Sequence, residues 1–151
     1  MKKKLFFLPL FIFFAVAVSA QLNKIAPVSA DNLRMELPGK LFTQFVQSVN
    51  STSLTNSFAK EKKALLKDII KVKDPSLMAK KITSFAGYIK PAMFKTNFNM
   101  QEFSNRAAGA KTMIYSMNML SDLEESLKPE ALSGVWKFQK NDWITQMTKL
   151  D

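Results

Sequence analysis

The stretch Asn99–Lys128, NMQEFSNRAAGAKTMIYSMNMLSDLEESLK, is the longest run in this chain that keeps a helical apolar stripe. Phe103, Ala107, Ala110, Ile114 and Met117 recur at steps of four and three, which stack side chains on one helical face. The spacing predicts one long helix over about 99–128, roughly 45 Å at 1.5 Å per residue. Asn99 followed by Glu102 has the pattern of a capping box at its start, and Lys128-Pro129 ends it. Gly109 inside this run costs about 1 kcal/mol relative to alanine, so its presence points to a closely crossing helix. After Met117 the stripe moves to Leu120, Leu123 and Leu127, rotating the apolar face as a stammer does, so the two halves are expected to meet different neighbours. Glu124, four residues before Lys128, reads as half of a weak surface pair.

Around this scaffold the other helices are shorter. Pro38 suits a first helical position, and Leu41, Phe42, Phe45, Val46 and Val49 give a helix ending near Asn50. The Ser/Thr/Asn-rich run 50–57 reads as a loop, since those side chains compete for backbone hydrogen bonds. A second helix over about 57–73 carries Phe58, Leu65, Leu66, Ile69 and Val72 on one side and Lys60, Lys63, Lys67 and Lys71 on the other. Asp74-Pro75 both stops that helix and caps the next, whose inner face is Met78, Ile82, Phe85, Ala86 and Ile89. Residues 91–98 form a connector whose Met93, Phe94 and Phe98 tuck against the core. Trp136, Trp143 and Leu150 at heptad spacing favour a last helix over about 133–149, in preference to a hairpin turning at Lys140-Asn141-Asp142. No internal repeat, low-complexity tract or inter-domain linker stands out. The expected fold is therefore all-α, a single-domain bundle of about five helices organised around 99–128.

The first twenty residues have a different character. Lys2, Lys3 and Lys4 precede the apolar run Leu5–Val18, and Val18-Ser19-Ala20 offers small residues for cleavage. Residues 1–20 thus read as a secretory signal peptide of bacterial style, 21–37 as an extended arm and 38–151 as the helical domain. A membrane anchor is the poorer reading, because polar Ser19, Gln21, Asn23 and Lys24 follow at once and a span needs about 20 apolar residues. No transmembrane helix is expected in the mature chain, and the compartment is periplasmic or extracellular. The core must hold the fold without disulfides, since the chain has no cysteine. Its net charge of +10 falls to +7 without Lys2–Lys4, 19 Lys and Arg against 12 Asp and Glu.

Composition also excludes chemistries. The absence of histidine and cysteine removes the usual general base, the thiol nucleophile, thiolate zinc sites and any histidine triad. Catalysis by carboxylates alone, or by a serine with a lysine, is the enzymatic route left open, and Glu124-Glu125, about 100° apart on a helix, are badly placed for the first. A non-enzyme without cofactor is expected. The leading expectation is an exported binding or scaffold protein whose face of Lys60, Lys63, Lys67 and Lys71 meets an anionic surface or an acidic protein, with nucleic acid an unsuitable partner outside the cytoplasm. The alternative is a carrier of a small hydrophobic ligand or Cu(I). Met113 and Met117 share a helical face and offer two soft thioethers; Met93 or Met100 would complete the set.

Overall fold

The computed structural model describes residues 30–150, with side chains from residue 35 onward. The signal-peptide reading of 1–20 and most of the arm lie outside the described residues. Among the described residues the chain is all-helical, with no strand. The helices are α1 (Ala30–Ser48), α2 (Phe58–Ile69), α3 (Pro75–Ala86), α4 (Met100–Asn105), α5 (Met113–Ser126) and α6 (Trp136–Thr148).

Two sequence expectations are corrected here. The arm expected up to Leu37 is already helical from Ala30, so Pro38 lies inside α1 and not at its first turn. The long helix expected over 99–128 is two helices. After α4 the backbone tightens into a 3-10 turn, Arg106–Gly109, and extends at Ala110. Thr112 then caps α5, its Oγ1 accepting from the Tyr115 N–H at 3.1 Å. Gly109, about 1 kcal/mol less favourable in a helix than alanine, lies where the helix gives way to this competing cap. The broken corner is closed by Tyr115, whose hydroxyl donates to the Arg106 carbonyl at 3.3 Å, and by an Arg106–Asp122 ion pair at 2.7 Å. Partial burial, which opposes charge on Arg106, is outweighed by Asp122 and Tyr115, so its pKa lies above the ordinary value. Ile114, expected on the inner stripe, is 39% exposed as a consequence of the break.

The six helices form three helix–hinge–helix units. The hinges are VNSTSLTNSF (49–58), IKPAMFKTNF (89–98) and LKPEALSGVW (127–136). Each begins with a buried aliphatic residue, makes a three-residue 3-10 turn, returns to an apolar residue and ends on an aromatic that opens or precedes the next helix. The hinges pair cyclically: Leu54 bridges Ile89, Phe94 bridges Leu127, and Val49 bridges Leu132. The hydrogen bonds repeat the cycle. Lys90 N–H donates to Ser53 O, Lys128 N–H to Met93 O and Asn50 N–H to Ala131 O, each at 2.9 Å. Thr55 donates to Tyr88 O and Lys95 to Ser126 O at 2.8 Å, and Ser133 to Ser48 O at 2.7 Å. The side chain at the second hinge position joins in, with Lys90 Nζ on Thr52 O, Lys128 Nζ on Ala92 O and Asn50 Nδ2 on Glu130 O. Among the described residues one hinge pattern thus occurs three times and pairs in a closed ring, against the expectation of no repeat.

The ring sits over a core built from equivalent positions of the three first helices: Phe45, Phe85 and Leu123 in one layer and Phe42, Ile82 and Leu120 in the next, all buried. Phe85 packs edge-on against Phe42 and Phe45 at 6.0 Å and against Phe58 at 5.4 Å. Such pairings add about 0.5–1.5 kcal/mol each beyond their buried area. The inner face expected for the third helix holds, Met78, Ile82, Phe85, Ala86 and Ile89 all being buried. Asp74 caps that helix as expected, Oδ1 accepting from the Leu77 N–H at 2.7 Å. Ser116, fully buried on α5, donates to the Pro75 carbonyl at 2.6 Å and ties α5 to the start of α3.

The close approach expected at Gly109 occurs elsewhere. A Cβ on Gly109 would meet only Tyr115, its hydroxyl oxygen at an ordinary contact distance of 3.5 Å, whereas a Cβ on Gly39 would stand 2.7 Å from Ile69 O and 2.8 Å from Ile70 Cα. Gly39 lets α1 lie directly on the backbone at the end of α2.

Candidate functional site

Three features deserve comparison as sites: a lysine row, a methionine-lined groove, and a buried carboxylate beside the hinge ring. Lys60, Lys63, Lys67 and Lys71 all project to solvent from α2 and the turn after it. The amphipathic spacing explains this, because Phe58 and Ile69 hold the opposite side of α2 in the core. None of the four takes part in the ion pairs found among the described residues. Of the nearby acids, Asp68 faces Lys81 at 3.5 Å and Asp74 serves as the α3 cap, while Glu61 is exposed beside Lys60. The row therefore keeps its charge facing outward.

Met113 and Met117 are placed differently from each other. Half-buried Met113 lines an open groove of about 280 Å³ together with Met35, Pro38, Lys73 and Leu150. Met117 is buried and edges an adjoining cleft of about 190 Å³ that includes Met147 and Ile144. Ile114 and Leu150 border both. The thioethers brought near this pair are thus Met35 and Met147. Met100, considered from sequence as a completing ligand, lines a groove at the second hinge instead. Among the described residues no three His, Cys, Asp or Glu side chains gather as a metal site.

Glu124 was missed by sequence reasoning. It is 4% exposed, and its Oε1 accepts from Trp136 Nε1 and pairs with Lys140 Nζ, both at 3.1 Å. The expected surface pair with Lys128 is replaced by these contacts, since Lys128 reaches the Ala92 carbonyl at 2.8 Å. The equivalent positions in the other two units are Val46 and Ala86, so only the third unit places a charge in this layer. Both partners sit on α6, which makes the carboxylate a docking point for that helix. Trp143 adds a second, its Nε1 donating to the Leu41 carbonyl at 3.0 Å. The helix expected over 133–149 is present, and its two tryptophans, packed 5.5 Å apart against Phe45, dock it on the core.

The hinge ring carries two matching grooves. At the second hinge Ile89, Pro91, Phe94 and Phe98 line about 580 Å³; at the third, the equivalent Leu127, Pro129, Leu132 and Trp136 line about 370 Å³. Lys95 borders both. Phe94 and Phe98 stack face to face at 4.3 Å, which closes the floor of the first groove. No described helix is long and apolar enough to cross a membrane. Comparison with protein-family models, curated proteins and solved structures finds no match to this chain.

Proposed function

We propose that this is an exported, non-enzymatic binding or scaffold protein that meets an anionic partner surface through the outward row of Lys60, Lys63, Lys67 and Lys71. The observation carrying this reading is that all four are exposed and in none of the ion pairs among the described residues, while Asp68 and Asp74 are occupied. Like-charged ammonium groups kept apart from carboxylates are held against self-repulsion and draw a partner of opposite sign. Export rests on the lysine–apolar–small pattern of residues 1–20, with Gln21 as the new N-terminus. Salt-dependent retention on an anionic resin tests the face. Lys60→Glu with Lys67→Glu is expected to elute at distinctly lower salt than wild type, and equal elution refutes the reading. N-terminal sequencing of the protein recovered outside the cytoplasm tests the export, a start other than Gln21 opposing it.

A second reading is favoured by the groove at Met113. Met35, Met113 and Ile114 give it apolar walls with Lys73 and Lys149 at its border, a setting for a small hydrophobic ligand or for Cu(I) among thioethers. Cu(I) titration beside a Met113→Leu, Met117→Leu variant separates the two functions. Equal, weak uptake by both forms removes copper.

A further inference from the structure

The lysine row is not purely polar. Ile70 keeps helical backbone angles, φ −62° and ψ −30°, so it extends α2 by one residue and falls at the edge of the lysine face, about 20° beyond Lys63 and about 60° from Lys67 at about 100° per residue. It is 45% exposed. Leu77, in the first turn of α3, is 44% exposed and stands three residues before exposed Lys80. Between them the chain turns through exposed Lys71 and Lys73, and the turn's one carboxylate, Asp74, is bound to the Leu77 N–H. Two large aliphatic side chains therefore project beside a stretch in which exposed lysines outnumber exposed Glu61, Asp68 and Asp74, in neither case into one of the grooves described above.

We propose that the strip Lys60–Lys80 is the footing by which the protein sits on a bilayer containing anionic phospholipid. This deepens the basic-face reading and rests on it. A lysine strip alone suits any polyanion, but Ile70 and Leu77 stay in water on an acidic polymer or polar protein, whereas at a lipid interface they enter the acyl boundary beneath headgroups neutralised by the lysines. Each lysine near such a surface contributes about fivefold in partitioning, and the contribution is screened by salt.

The test is co-sedimentation of the purified protein with phosphatidylcholine vesicles with and without phosphatidylglycerol, beside retention on heparin as an anion with no apolar phase. All forms share one N-terminus, so residues 1–20 contribute equally. Wild type is expected to bind only the anionic vesicles. Lys63→Glu with Lys67→Glu is expected to weaken both vesicle binding and heparin retention by on the order of a hundredfold. Ile70→Ser with Leu77→Ser is expected to weaken vesicle binding about tenfold and leave heparin retention unchanged. The control is Val135→Ser with Phe138→Ser, which removes the most exposed apolar pair, 59% and 84%, outside the strip. Vesicle binding lost only in that control places any lipid contact elsewhere and overturns the footing. Vesicle binding indifferent to Ile70 and Leu77, or heparin retention without vesicle binding, also overturns it and leaves the basic face serving an acidic polymer or protein. Failure of wild type to bind either probe at low salt sinks the basic-face reading itself.

Discussion

Alanine at position 39 sets two effects of known sign against each other. Gly→Ala inside a helix gains about 1 kcal/mol from propensity and a less flexible unfolded chain. At Gly39 the added methyl would stand 2.7 Å from the Ile69 carbonyl oxygen and 2.8 Å from Ile70 Cα. Both neighbours are backbone, so no rotamer change clears the overlap, and α1 must lift off the end of α2. Overpacking of this kind costs about 1–3 kcal/mol and occasionally more, and the lift also loosens Phe42 and Phe45 in the layers below. The net expectation is a loss of roughly 1–2 kcal/mol, or about 4–10 °C in Tm for a domain of this size. Thermal unfolding followed by far-UV circular dichroism measures it. Gly134→Ala is the control, because nothing lies within 4 Å of a Cβ there and no described glycine has positive φ. If the Gly39 variant melts at or above the wild-type temperature, or tracks the Gly134 control, the close approach is not what the geometry implies.

Other outcomes follow from the same contacts. Glu124→Ala orphans the Trp136 N–H and is expected to cost about 2–4 kcal/mol in urea unfolding, while Glu124→Gln keeps an acceptor and costs about 1; equal losses would deny the indole bond its role. Asn50→Ala removes the two bonds from Nδ2 to Glu130 O and Leu132 O, both 3.0 Å, and should lower stability by about 1–2 kcal/mol. An unchanged midpoint there would show that the ring does not depend on its side chains. Trp143→Phe removes the bond to Leu41 and leaves a cavity, with a loss of about 2–3 kcal/mol expected and faster amide exchange in α6 as the local readout.

What could be read from the sequence was what local patterns encode. The inner face of α3, the Asp74 cap, the exposed lysine row and the helical form of 136–148 follow from periodicity and short-range chemistry, and the structure has each of them. The long helix failed because an apolar stripe reports burial, not continuity. Phe103, Ala107, Ala110 and Met117 are all buried, yet the backbone between them passes through a 3-10 turn and an extended residue. Thr112 was the overlooked signal, a cap residue three positions after a glycine. The triplicate was hidden because the three hinges share a pattern of burial and turning more than letters: Lys-Pro recurs in the second and third, but VNSTSLTNSF and LKPEALSGVW agree in almost no residue type. Glu124 looked superficial because its partners lie on the next helix, where no i,i+4 rule reaches. Of the candidate sites, the exposure of the four lysines was legible in the periodicity of their helix. The Met113 groove was not, since Met35 and Leu150 come from opposite ends of the chain.

The cyclic pairing of the hinges also dictates an order of events. Ser53–Lys90 and Met93–Lys128 join neighbouring units, but the third link, Asn50 to Leu132, spans 82 residues, and Trp143 reaches Leu41 across 102. Loop-closure entropy and N-to-C emergence both put such links last. Until Leu132 and Trp143 are available the first helix has neither its third-unit hinge partner nor its aromatic lid, and Phe42 and Phe45 are covered only on the side of Phe85. A chain built this way remains unfinished until nearly its whole length is free to pair.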